Sequence, residues 1–249
     1  GARPRERTRQ GPDLRAVTGA WRPAGWRPVP GGFEYGWGPT LVLIPGLRGD
    51  PSEYVALAPR IPGRTLRLVT LPDAGRRLTD IAAAVVADLP RGEWDVLGAS
   101  FGGLVGWAMP ADRVRTLTTI GTLPHRTPRA ARMRAYASVV RRLPERVYQE
   151  VYGPRARASL AEDGADDTLL EHVALPPARV LADRLSAIAA WGLPDRPPGT
   201  RHTWLWGATD RFITWSSAEV SAAGMEPVVV PGGHRPHLSH PSEVARWVR

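Results

Sequence analysis

The segment Gly98-Ala-Ser-Phe-Gly102 constrains this chain more than any other. It follows the apolar run that starts at Trp94 and precedes Gly-Leu-Val-Gly-Trp-Ala, so a strand must turn into a helix across one serine. Such a turn strains the serine backbone. It also brings the residues two before and two after it against neighbouring chain, where side chains clash and glycine fits. The serine hydroxyl then stands clear of the sheet edge. The first helical turn beneath it supplies unpaired N–H groups and the positive end of a dipole. Ser100 is therefore the candidate nucleophile. The competing reading, a plain tight turn, lacks a reason for a strand before it and a helix after it.

The surrounding pattern alternates. Apolar strand signals lie at 40–44, 66–71, 94–98, 115–120, 203–206 and 228–230, with a hairpin signal at Pro30-Gly31-Gly32 between 26–29 and 33–37. Helix signals lie between them. Asp50-Pro-Ser-Glu53 reads as an Asp capping box opening a helix after the first parallel strand. Further helices are expected at 79–89, from Phe101 to near Pro110, and from about Ser242. Alternation of this kind predicts an α/β fold, with a mostly parallel central sheet and helices on both faces. The alternation breaks over 123–192, where helix signals follow one another, including Thr127-Pro128 as a start and 177–191 as a whole helix. The organisation predicted is a flexible basic arm over 1–20, a core made of 21–122 and 193–249, and a helical cap insertion over 123–192. The cap is expected over the carboxyl ends of the strands, where such sheets bind ligands.

A serine needs a base to act at neutral pH. Three histidines, His234, His237 and His240, share the stretch Gly232-Gly-His-Arg-Pro-His-Leu-Ser-His-Pro241. His234 comes soonest after the 228–230 strand and follows a glycine, which puts it on the same sheet edge as Ser100. His237 is placed behind it, and His240, just before Pro241, opens the last helix. The base in turn needs a carboxylate to hold its tautomer. Asp210, in Trp206-Gly-Ala-Thr-Asp210, follows another strand directly, whereas its rival Asp195 precedes that strand and belongs to the wrong end. Two backbone N–H groups should form an oxyanion hole, one on Phe101 and one on Leu47 in the loop Ile44-Pro-Gly-Leu-Arg48.

These motifs, in the order Ser, Asp, His, resemble the α/β-hydrolase superfamily, in particular its capped, single-domain, esterase-like serine hydrolases. The resemblance runs from about Phe33 to the end. It is carried by Leu41-Val-Leu-Ile-Pro-Gly, Leu97-Gly-Ala-Ser-Phe-Gly-Gly-Leu-Val, and Leu205-Trp-Gly-Ala-Thr-Asp-Arg-Phe-Ile with Pro231-Gly-Gly-His. It implies the roles already reached for Ser100, Asp210, His234, Leu47 and Phe101. There are two departures. Pro45 stands where many members carry histidine, and Pro110 shortens the helix after Ser100. Serine at the turn also separates the chain from the superfamily's dehalogenases and epoxide hydrolases, which use aspartate there.

The implied activity is hydrolysis of a carboxylic ester, thioester or lactone, with a small-molecule acyl substrate and neither metal nor organic cofactor. The same three residues also serve acyl transfer and C–C hydrolase or lyase chemistry, and a non-catalytic small-molecule-binding protein is the alternative from another class. Arg48, Trp107, Met133 and Tyr136 are the candidate substrate-binding residues, with Trp191 and Trp215 as further aromatics.

Charge needs care here. The 249 residues carry a formal net charge of +9, and every basic residue apart from histidine is arginine. The excess is concentrated in residues 1–28 and 126–158, an arm and part of the insertion, and does not form one continuous stripe. Nucleic acid is therefore not the expected partner. The arginine-rich insertion instead suggests attraction for an acyl group that bears a carboxylate or rides on a phosphate-bearing thiol. No apolar run reaches the about 18–20 residues of a membrane span, and no secretory leader is legible, so a cytoplasmic protein is expected. With no cysteine, disulfides, thiolate metal sites and thiol nucleophiles are excluded.

Overall fold

The computed structural model describes residues 25–73, 75–122, 130–191, 200–213 and 226–248. The basic arm, Thr127-Pro128, Asp195 and Trp215 lie outside the described residues. Among the described residues eight strands form one sheet: β1 (Arg27–Val29), β2 (Gly32–Gly36), β3 (Thr40–Ile44), β4 (Thr65–Val69), β5 (Trp94–Ala99), β6 (Val114–Ile120), β7 (Arg201–Gly207) and β8 (Val228–Val230). Their order across the sheet is β1-β2-β4-β3-β5-β6-β7-β8. The β1–β2 hairpin is antiparallel, β2 is antiparallel to β4, and every pair from β4 to β8 is parallel. This is the expected α/β class.

Period-two alternation sorts each central strand onto two faces. On β3, Leu41 and Leu43 face one core with Tyr54, Leu57, Val244 and Val248. Val42 and Ile44 face the other, with residues of α1 (Leu78–Ala87) and α2 (Phe101–Trp107). All four strand residues are at most 1% exposed. Burying one such side chain stabilises by roughly 1.5–3 kcal/mol, so a sheet covered on both faces is strongly favoured.

One expected helix does not form. After β3 the chain makes two short 3-10 turns, Pro51–Tyr54 and Ala58–Arg60. Asp50 does cap the first, accepting from the Ser52 N–H at 2.9 Å. Pro59 and Pro62 then remove donors that a continuing α-helix would need. Glu53 does not close a capping box either, because its carboxylate is used elsewhere.

Between β6 and β7 lie α3 (Ala130–Arg142), α4 (Glu145–Glu162), α5 (Asp167–Glu171) and α6 (Ala178–Ala190). α6 is buried on almost every side. Leu181, Ala182 and Leu185 pack in a cluster with Ala137 and Val140 of α3, while Ala187 and Ile188 join the core cluster that holds α1 and α2. The chain closes with α7 (Pro236–Ser239) and α8 (Pro241–Ala245). Among the described residues no helix is long and apolar enough to cross a membrane.

The chain winds from β3 to β4 on one side and returns to β5 on the other. The strand order therefore reverses between the parallel neighbours β3 and β5, and their carboxyl ends flank the point where such sheets open a crevice. The loops bearing Leu47 and Ser100 leave from those two strands.

Candidate active site

Ser100 sits between β5 and α2 with φ 51° and ψ −113°. It is the only non-glycine residue with positive φ among those described. Three contacts show why its neighbours are glycine. A Cβ on Gly98 would lie 2.4 Å from the Gly102 carbonyl oxygen. One on Gly102 would lie 2.1 Å from the Ile44 oxygen and 2.5 Å from that of Pro45. One on Gly103 would strike the Thr122 hydroxyl at 2.1 Å. The turn is fixed from outside as well. The Ser100 N–H donates to Ile120 O at 2.7 Å, and the Thr122 hydroxyl donates to Ser100 O at 2.9 Å. Ser100 itself stays half-buried, open enough for a substrate.

His234 and Asp210 are joined by the loops that carry them. The loop after β7 is bound to the loop after β8 by Ala208 N–H to Val230 O at 2.8 Å and by the Thr209 N–H and hydroxyl, both to Gly232 O at 3.0 Å. That registration sets His234 Nδ1 2.8 Å from Asp210 Oδ2. The other carboxylate oxygen, Oδ1, accepts from the N–H groups of Phe212 at 2.8 Å and Ile213 at 3.1 Å. The Asp210 side chain is fully buried and that of His234 nearly so. With the Asp210 carboxylate as acceptor, Nδ1 of His234 is the donor in this bond. The imidazole lies against Gly121, whose Cβ, if present, would be 2.9 Å from its Cε1 and Nδ1. Gly121 follows Ile120, the residue that holds the Ser100 N–H. The histidine and the serine thus flank one turn at the end of β6.

The loop after β3 is held just as firmly. The Gly46 N–H donates to Glu53 Oε1 at 2.7 Å, and Gly46 O accepts from the Gly49 N–H at 2.9 Å. Glu53 is buried and faces Arg48 at 3.7 Å. Burial pushes the Glu53 carboxyl up and the Arg48 guanidinium down, and each charge partly offsets the shift of the other. Arg48 is therefore turned inward onto Glu53.

The other candidates are dispersed. Met133 and Tyr136 stand on α3, Met133 packed in the helical cluster and Tyr136 with its ring 6.0 Å from that of Tyr152. Trp107 ends α2 and meets His202 edge-on at 4.6 Å, near the start of β7 and away from Ser100. Trp191 packs beside the α1–α2 cluster. His237 is fully buried and stacks on Tyr54. His240 caps α8.

The structure adds residues that sequence reading missed. Phe212 lies over His234 with ring centroids 5.3 Å apart. Asp163, at the end of α4, is buried and pairs with Arg235, next to His234. Arg184 of α6 is 2% exposed, a charge among the apolar residues of a buried helix, and that position was its one legible signal.

Comparison with known proteins supplies the family. Residues 19–247 match the model of the alpha/beta hydrolase family. The chain belongs to that family. A pimeloyl-[acyl-carrier protein] methyl ester esterase of Stenotrophomonas maltophilia is 30% identical to this hydrolase over 243 residues, covering 84% of the chain and 91% of the relative. Among solved structures, a thermophilic esterase from Thermogutta terrifontis matches with a TM-score of 0.64 at 20% identity, over 87% of this chain and 90% of that one. An N-acyl homoserine lactonase complexed with N-hexanoyl homoserine matches with a TM-score of 0.67 at 18% identity, over 89% and 93%. At these identities the two structures speak for the fold.

Proposed function

We propose that this hydrolase cleaves a carboxylic ester, thioester or lactone through an acyl-enzyme on Ser100, with His234 as base and Asp210 as its orienting carboxylate. The observation that carries the reading is the 2.8 Å His234–Asp210 hydrogen bond set beside the strained serine turn. His234 Nε2 takes the Ser100 proton as the hydroxyl oxygen attacks the carbonyl carbon. The negative charge that develops on the carbonyl oxygen is met by the N–H groups of Phe101 and Leu47. The Gly46 N–H is already committed to Glu53, so it does not compete with Leu47 as the donor from that loop. His234 then returns the proton to the leaving alcohol or thiol. Water, activated by the same imidazole, releases the acid.

The segment of α3–α6 serves as the cap. Leu47 packs into its apolar cluster and Arg235 reaches Asp163 of α4, so it rests on the loops at the carboxyl ends of the strands. Arg132, Arg134, Arg142, Arg146, Arg155 and Arg157 are exposed on it. That surface favours an acyl substrate bearing negative charge, as a carboxylate or on a phosphate-bearing carrier thiol, and the curated relative is named as an esterase of a pimeloyl-[acyl-carrier protein] methyl ester.

The test is hydrolysis of a chain-length series of acyl esters by wild type and Ser100→Ala, with a serine-reactive phosphonate alongside. Turnover and labelling at Ser100 in the wild type, both lost in the variant, are expected. A folded wild type that neither turns over nor labels would sink the reading and favour a non-catalytic binding protein. Labelling without ester turnover, but with acyl passed to an acceptor other than water, would redirect it to acyl transfer.

A further inference from the structure

We infer that Arg184 is a positioning residue for the oxyanion loop, holding the Leu47 peptide from the helical segment so that its N–H faces the reacting carbonyl. The inference rests on the function proposed above.

Arg184 reaches out of α6 and spreads its guanidinium over three backbone carbonyls. Nη1 donates to Leu47 O at 2.9 Å, and Nη2 donates to Leu71 O and Pro72 O, each at 3.2 Å. Asp73 stands 3.8 Å away. Access for the guanidinium depends on Gly49, which has φ +77° and whose Cβ, if present, would lie 2.6 Å from Nη1. The site is built for this side chain. A planar fork can satisfy several acceptors in fixed directions, which a lysine ammonium cannot do.

Peptide planarity gives the arrangement its consequence. The Leu47 N–H lies in one plane with Gly46 C=O, which the Gly49 N–H holds. On the other side of the Leu47 Cα, the Leu47 C=O is held by Arg184. The Gly46 N–H is held by Glu53. Both peptide planes flanking Leu47 are thus pinned, so its φ and ψ cannot drift without breaking one of these hydrogen bonds. Two of the anchors come from the core. The third comes from α6, 137 residues along the chain. Burial lowers the Arg184 pKa, partly offset by Asp73 and Tyr148, to about 10, so the group stays cationic at neutral pH.

The neighbouring residue extends the link. Asp183 accepts from Arg141 of α3 at 2.7 Å and faces Arg76 at 3.4 Å. Consecutive residues of α6 therefore tie α3 on one side and the oxyanion loop on the other. The Leu47 side chain packs into the same cluster as Leu181 and Leu185. A helical segment displaced from the core would release Leu47, and the donor would be set correctly only when α6 is seated.

The experiment compares a chromogenic ester with its thiono counterpart, whose C=S sulfur accepts hydrogen bonds weakly, in wild type, Arg184→Met and Arg184→Lys. If Arg184 aims an oxyanion donor, kcat for the oxo ester falls about tenfold or more, within the 10²–10³ that removal of such a donor costs. KM stays within about threefold, and the oxo-to-thiono rate ratio falls toward that of a substrate without the donor. Equal losses on both substrates, or no loss, in folded variants would show a merely structural arginine and overturn the inference. Should Arg184→Met fail to fold, Gly49→Ala displaces the same guanidinium from the other side, and the ratio is read there. A wild type inactive on every ester removes the proposed function and this inference together. An active wild type whose variants keep the ratio removes this inference alone.

Discussion

Asp210 uses each of its oxygens for a different purpose. Oδ1 is held by two backbone N–H groups of its own loop, and Oδ2 is left to meet His234. An asparagine there can keep one set of contacts but presents an amide donor to a ring nitrogen that is itself a donor. Asp210→Asn is expected to fold normally and to lose on the order of 10⁴ in kcat, measured on whichever ester the wild type cleaves fastest. Gly102 is constrained from the other direction. A methyl group there meets backbone oxygens of Ile44 and Pro45, which cannot rotate away as a side chain can. Gly102→Ala should cost at least about 3 kcal/mol in urea unfolding, beyond a usual overpacking penalty. Retention of wild-type stability would mean the turn is looser than described. The two residues also mark what a sequence can disclose. Gly98, Ser100 and Gly102 are legible because they stand at fixed spacing across one strand-to-helix turn, although the oxygens that exclude a Cβ at Gly102 come from Ile44 and Pro45. Arg184 meets Leu47 only after the fold has closed, so its partner had no local signature. Glu53 sat where a capping-box residue belongs, and its actual partner, Gly46, lies seven positions back across a turn.

At the scale of elements, the strands were legible to within a residue or two because a sheet covered on both faces demands unbroken apolar runs, as in Leu41 to Ile44. The region after Asp50 was not, since the N-cap is satisfied by a 3-10 turn as readily as by a helix and the prolines downstream decide between them. That turn and α7 meet at Tyr54 and His237. His237 is fully buried, with neither ring nitrogen hydrogen-bonded among the described residues, and burial with Arg235, His234 and Arg48 nearby lowers its pKa to about 3. The folded state thus keeps His237 neutral while the unfolded chain takes up a proton below its ordinary value near 6.5. The unfolded state binds more protons across that interval, so stability falls as pH drops from about 6.5 towards 3. The slope from one proton is about 1.4 kcal/mol per pH unit. In His237→Phe, which retains a ring for Tyr54, that slope should disappear from a series of unfolding curves. Parallel curves for the two proteins would mean that His237 titrates normally. Asp95 works on another part of the sheet and in a more acidic window, where stability again falls with pH. Burial raises its pKa, but hydrogen bonds from Arg115, Thr116 and Arg64 outweigh this and bring it to about 2. Its contribution is present above about pH 4 and is lost as pH falls through 2. In Asp95→Asn the stability deficit should therefore be constant above pH 4 and narrow below it.

Across the whole molecule, the arginines exposed on the helical segment set a field that no single contact expresses. If they draw in a charged acyl group, KM for an ester with a terminal carboxylate should rise several-fold between about 50 mM and 500 mM salt. KM for a neutral ester of the same length should stay level. Equal salt responses would remove the field from the account of substrate choice. The margins of the sheet carry a separate consequence. Among the described residues it ends in strands of only three residues, β1 with Arg27 and Pro28 at one side and β8 at the other. A long bare margin is a template on which a second molecule can lay down its own backbone and begin an ordered aggregate. Here a neighbour would find a charge and an imino acid at one margin and too few rungs at the other. Short margins of this kind offer the next molecule few free backbone groups on which to add a strand.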